Sequence, residues 1–217
     1  MAYCDTDTLC TVFLSEAELA LRDLKRYRVG QIHISSGRMV ACDPFVYPET
    51  APFTRTVPQR GDFPVEVIEA CPSHYALAVL WLVPPEQIAA ETLSWEMAIL
   101  PGNEGEVLGE DEFFGYGVDA GAGSLMDADT FSAIEQAIAR YNQEHPDQAC
   151  DEGDRSPYTD FLMDAFYPVG ADGQTDYTCR LIYHPLGTDH PANVAVFASG
   201  WGDGSYPSYW ALDADGQ

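Results

Sequence analysis

Apolar and polar positions along this chain follow two different periods, and the places where the period changes mark its elements. Leu21, Leu24 and Tyr27 recur at helical spacing. The segment Ser15-Glu-Ala-Glu18 reads as a capping box, in which a hydroxyl and a carboxylate three residues apart satisfy each other's backbone N–H groups, with Leu14 and Leu19 as a flanking apolar pair. A helix is therefore predicted from Ser15 to a stop at Gly30, with Arg26 and Arg28 at the negative end of its dipole. From Gln31 the period falls to two. QIHIS and RMVACDP, separated by Ser36-Gly37 and closed by Asp43-Pro44, predict a hairpin. The proline-rich stretch 45–61 has no period and predicts a long loop or edge segment that wraps the domain.

Strand patterns dominate the rest. PVEVIEA (64–70) alternates, and HYALAVLWLV (74–83) is so continuously apolar that cover on both faces is expected. A short helical turn at PEQIAAE precedes the strand WEMAIL (95–100), and the acidic NEGEVLGEDEF leads into FFGYGVDAGAGSLMD. Asp127 or Asp129 is expected to cap a second helix with the stripe Phe131, Ile134, Ile138 and Tyr141, ending before Pro146. YTDFLMDAFYP (158–168) reads as a short amphipathic helix, and DYTCRLIYHP, ANVAVFAS and YPSYWALD as strands. No fixed-period repeat occurs and helices do not alternate regularly with strands. The expected fold class is α+β: a single domain over residues 1–217, with a largely antiparallel twisted sheet, an N-terminal helix and one or two further helices packed on it. Asp213-Ala-Asp-Gly216 reads as a turn into one more strand, so either a final C-terminal strand is missing or the terminus is frayed.

Charge narrows the partners. Thirty-five acidic residues against ten basic ones leave a formal net charge of -25, which argues against nucleic acid, since phosphates are bound chiefly through lysine and arginine. The same field favours encounter with a basic protein. Lys25 is the only lysine among the cations, a bias that a GC-rich genome or a salt-adapted proteome also produces. No segment is long and apolar enough for a membrane span, and the N-terminus lacks a cationic start followed by an apolar run, so a cytoplasmic location is expected. Cys4, Cys10, Cys42, Cys71, Cys150 and Cys179 form no C-x-x-C pair and read as buried or incidental thiols.

Candidate chemistry gathers in two glycine-rich segments. GYGVDAGAGSLMD (115–127) sets Asp119 at a strand end among glycines that permit positive φ or close approach, and SGWGDGSYPSY (199–209) sets Asp203 between Gly202 and Gly204. Neither is a P-loop or a G-x-G-x-x-G. Together with SGRMVACDPF (36–45) and the pair Trp95-Glu96, these two segments, four motifs in order, resemble the bacterial family known as domain of unknown function 4241 over most of the chain. The resemblance implies no particular activity. It also implies a further strand with a D-F ending, which this chain lacks.

Two readings of the acids follow. In one, Asp43, Asp119, Asp127 and Asp203 each cap a turn or a helix. In the other, Asp119 and Asp203 meet Glu96 in a cleft, to bind a divalent cation or to act as acid and base. Trp201, Tyr206, Tyr209 and Trp210 are either core or a recognition platform. The five histidines show no ligand spacing, and no nucleophile elbow is present. Cys42, beside Asp43, is a nucleophile candidate or a small apolar strand end. The leading expectation is a non-enzymatic binding protein, an inhibitor or immunity-type partner of a basic toxin. The alternatives are a metal-assisted hydrolase or transferase using Asp119 and Asp203, and a small-ligand binder with a pocket at the glycine loops. No cofactor is expected, a divalent cation being the one candidate, and the oligomeric state is open.

Overall fold

The helix predicted from Ser15 starts where the capping box sets it and stops early. The computed structural model describes residues 6–109, 112–146, 163–169, 173 and 179–216. After a first helical turn, α1 (Thr6–Leu9), and a 3-10 turn at Cys10–Phe13, Ser15 N–H donates to Glu18 Oε2 at 2.8 Å and Glu18 N–H donates to Ser15 Oγ at 3.3 Å. The helix they open, α2 (Glu16–Ala20), does not reach Gly30. Leu24 N–H bonds back to Leu19 O at 2.9 Å while Asp23 takes the left-handed conformation at φ 58, which closes the helix in a Schellman-type end. Residues that continue the helical period instead enter β1 (Lys25–Ile34), where Lys25 stands opposite Glu69 and Arg28 opposite Glu66 of β3 (Gly61–Cys71), and where Arg26 Nη1 donates to Glu66 Oε2 at 3.3 Å and the Tyr27 hydroxyl to Glu69 Oε2 at 3.2 Å. Gly30 sits beside an irregularity in that ladder, where a Cβ would collide with the Ile182 side chain.

The predicted hairpin around Ser36-Gly37 is also corrected. β2 (Met39–Cys42) does not pair with β1 but with β7 (Ala122–Asp127). β1 belongs to a three-stranded sheet of order β1-β3-β4, with β4 at His74–Leu80; β2 edges a four-stranded sheet of order β2-β7-β9-β8, with β8 at Arg180–Tyr183 and β9 at Val194–Ala198. The turn at 35–37 therefore carries the chain from one sheet to the other. Two ribbons complete the strands: β5 (Ser94–Met97) with β11 (Tyr209–Leu212), and β6 (Tyr116–Val118) with β10 (Gly204–Tyr206). Each of these pairings is antiparallel, and helices are few, so the fold class is α+β as expected.

The layers follow from side-chain alternation. In β2, Met39 and Ala41 enter a core with Ile32, Ile34 and Val65 of the three-stranded sheet, while Val40 and Cys42 enter a second core with Met126, Ile134 and Phe166. Both faces of β2 are thus covered, and all four of its residues are buried. Cover on both faces was expected for 74–83, but β4 lies at a sheet edge with Ala76 exposed and most of its other residues half-buried. The helical layer over the second core contains α3 (Thr130–Glu144), whose Ile134 and Tyr141 are buried and whose Ile138 packs against the cluster, much as its stripe predicts. Asp129 stands at its N-cap without a side-chain cap bond; Asp127 is not a helix cap but accepts the Asp129 N–H at 3.0 Å from the end of β7. Of the helix expected at 158–168, α4 (Met163–Phe166) is described and 158–162 lie outside the described residues. The 45–61 segment wraps as a loop, with Phe53 and Val57 buried and their N–H groups bonded to Met39 O and Gly37 O.

Candidate functional site

The two glycine-rich segments meet at one joint, through backbone register. In the β6–β10 ribbon Gly204 pairs with Val118 and Tyr206 with Tyr116, so the next residues outward, Asp203 and Asp119, leave the ladder at the same end. Ser199 N–H donates to Gly121 O at 3.0 Å, and Gly121 lies close to the Gly202 backbone. Glycine is required at position 200, where φ is +73 and an added Cβ would stand 3.0 Å from Tyr75 O. Both Asp119 and Asp203 are exposed.

The two other acids are inside. Asp43 is fully buried, and four backbone amides donate to it: Phe45 at 2.8 Å and Val46 at 3.2 Å to Oδ1, Asp119 at 2.8 Å and Ala120 at 2.7 Å to Oδ2. It is an Asx-type cap for its own turn, as one reading expects, and at the same time the staple that holds the Asp119 loop. Asp127, 1% exposed, takes the Ser35 hydroxyl at 3.1 Å, the Ser36 amide at 3.0 Å, the Ser36 hydroxyl at 3.0 Å and the Gly37 amide at 3.1 Å. Neither has spare acceptor capacity facing water. Glu96 is spoken for as well: its carboxylate accepts from Arg55 Nη2 at 2.7 Å, on the β5–β11 ribbon. Among the described residues, no three or more His, Cys, Asp or Glu side chains are placed to hold a metal ion. Asp119, Asp203 and Glu96, all described, therefore do not form the expected trio.

The aromatics split. Tyr206 is half-buried against Tyr116, with ring centroids 6.2 Å apart, and its hydroxyl donates to Gly202 O at 2.7 Å. Ser199 Oγ donates to the same carbonyl at 2.8 Å. The turn that these two hydroxyls close carries Trp201 outward, 86% exposed, with the His74 ring beside it at a centroid distance of 5.0 Å. Trp210 packs edge-on to Phe53 instead and belongs to the core. Trp201 and His74 border an open depression of about 530 Å³, further lined by Ser73, Tyr167, Cys179 and Gly202.

Burial decides the reactivity of the nearby thiol. Cys42 is fully buried beside Ser124, and desolvation pushes its pKa up to about 12, which removes it as a nucleophile at neutral pH. Burial likewise raises the Tyr116 phenol, and the Tyr75 phenol against the opposing pull of Arg180, whose Nη1 donates to Tyr75 Oη at 2.8 Å. His74 and the His33–Asp62 pair, joined at 2.8 Å beside a smaller cleft of about 200 Å³, were not singled out from the sequence. Their partners come from turns and neighbouring strands, and no spacing motif announces them.

The chain belongs to the family described as protein of unknown function (DUF4241), whose model matches residues 32–217. No curated protein and no solved structure matches it.

Proposed function

We propose that this member of the DUF4241 family is a non-enzymatic binding protein for a basic protein partner, and more specifically an inhibitor or immunity-type partner of a basic toxin. One observation carries the reading: Trp201 is 86% exposed on a turn braced by two hydroxyls, at a joint whose acids Asp119 and Asp203 also face water. A large aromatic displayed on a backbone turn that is already ordered spares the cost of ordering that turn when a partner covers it, and tryptophan is enriched among the residues that dominate binding energy. The net charge of -25 selects the sign of the partner. Arg26, Arg38, Arg55 and Arg140 are ion-paired within the chain, so at those positions the negative field is not offset by unpaired cations. The buried acids serve the scaffold, since amide donors from the chain saturate them. The depression beside Trp201 also favours a small-ligand site as a second reading, but its openness suits a side chain protruding from a partner surface better than an enclosed molecule.

The test is capture on the immobilised protein from cells that produce it, elution with salt, and reconstitution from two purified components. A basic protein that rebinds with a micromolar or tighter Kd, and more weakly as salt rises, supports the proposal. If none of the captured basic proteins rebinds in purified form, the proposal fails.

A further inference from the structure

We infer that the depression beside Trp201 is the seat for an arginine side chain of the basic partner, an inference that rests on the binding role proposed above. Three features of the depression point to a guanidinium. First, the indole of Trp201 presents its surface to water, and a planar cation stacks on such a ring better than a compact ammonium does. Second, the adjacent His74 is fixed in one tautomer. Its Nδ1 donates to Pro72 O at 2.8 Å, so in the neutral ring Nε2 is the hydrogen-bond acceptor, a group that suits a donor-only guanidinium. The two rings stand 5.0 Å apart at 58° and both line the depression. Third, the two loops that supply Gly121, Trp201 and Gly202 to the lining also carry the exposed acids Asp119 and Asp203, so the segments that build the seat are themselves negatively charged.

The seat is built before any partner arrives. Gly200 and Gly202 take φ +73 and +90, and the Gly202 carbonyl is occupied by the Ser199 and Tyr206 hydroxyls, which sets the direction in which the turn projects Trp201. Ser73, which also lines the depression, holds a positive φ of 63 with its N–H donating to Glu69 Oε1 at 3.1 Å, and this sets the turn that leads into His74 at the start of β4. At about 530 Å³ the depression is roomy enough for a guanidinium with part of its stem.

The test uses the whole chain and three capped hexapeptides: hexa-arginine, hexa-lysine with the same charge, and hexa-citrulline with nearly the same shape and no charge. Affinities are measured by calorimetry at physiological salt. Hexa-arginine is expected to bind wild type about five-fold or more tighter than hexa-lysine, and hexa-citrulline not measurably. Trp201→Ala and His74→Lys are each expected to abolish the preference for arginine over lysine while their melting temperatures stay near wild type. A distant acid-loss control, Glu86→Gln with Glu91→Gln, is expected to weaken both cationic peptides equally and to keep the preference. If hexa-arginine and hexa-lysine bind wild type equally, or if Trp201→Ala keeps the preference, the arginine seat is overturned; a captured basic partner that still rebinds would leave the broader binding role standing. If the preference is abolished as expected but no partner rebinds, the seat holds and the protein-partner role falls.

Discussion

The buried carboxylate of Asp43 accepts the backbone N–H of the exposed Asp119 at 2.8 Å, so one acid that never meets water positions another that does. The relationship ties the end of β2 to the glycine joint and separates the acids by role: Asp43 and Asp127 are structural, whereas Asp119 and Asp203 are at the surface.

Asp43→Ala removes the acceptor for four buried or half-buried amides and is expected to destabilise the fold by about 3 kcal/mol or more. Asp119→Ala and Asp203→Ala, which cut exposed side chains, are expected to stay within about 0.5 kcal/mol of wild type. Urea unfolding of the three variants checks the contrast. Equal losses for buried and exposed acids would contradict it.

Asp127→Ala frees the turn that joins the two sheets. Its five donors include the amides of Ser36, Gly37 and Asp129, so hydrogen exchange at Ser36 and Gly37 is expected to accelerate by more than the global loss of stability explains. Unchanged protection of those two amides, relative to the core strands, would assign the turn's order to some other contact.

The Cys42 thiol gives a pH signature with a definite sign. Its pKa rises from 9.0 to about 12 on folding because burial penalises the thiolate. The folded state therefore holds the proton that the unfolded state releases. The contribution is complete below pH 9.0 and is lost as the pH rises from there through about 12. Cys42→Ala is expected to flatten the decline of stability with pH over that window. In the native protein at pH 8, a thiol reagent is expected to label the exposed Cys71 and leave Cys42 unmodified.

Gly200→Ala places a Cβ 3.0 Å from Tyr75 O at a φ of +73, and is expected to cost about 1–2 kcal/mol. Trp201→Ala, one residue on, removes an exposed ring and is expected to leave stability within about 0.5 kcal/mol. Thermal unfolding of the pair separates the framework of the turn from what it displays; a large loss on removing Trp201 would make that ring a structural part.

The start of α2, the stripe of α3 and most of the strands could be read from the chain because each depends on neighbours within four residues: a hydroxyl facing an amide three positions on, or side chains returning to one face at period 2 or 3.6. Misreadings arose where a distant partner overrode a local preference. Lys25 to Arg28 continue a helical period but face Glu69 and Glu66 across a ladder, and Ser36-Gly37 resembles a hairpin turn but is captured by a carboxylate some ninety residues away. At the candidate site, the acids and the aromatics were visible as residue types. The division into buried staples and exposed side chains was not, since an aspartate among glycines looks the same whether amides or water complete its shell. His74 carried no pattern at all, because it stands beside Trp201 only through the packing of two turns remote in sequence.

By itself, the sequence determined the α+β class, the negative field and the presence of two glycine-flanked acids, because composition and short-range periodicity are properties of the covalent chain. Tertiary structure alone decided that β2 crosses to a second sheet, that Asp43 and Asp127 are saturated, and that Trp201 is left in water beside His74. Register and burial are set by contacts between segments far apart along the chain, and no local pattern encodes which of those contacts wins.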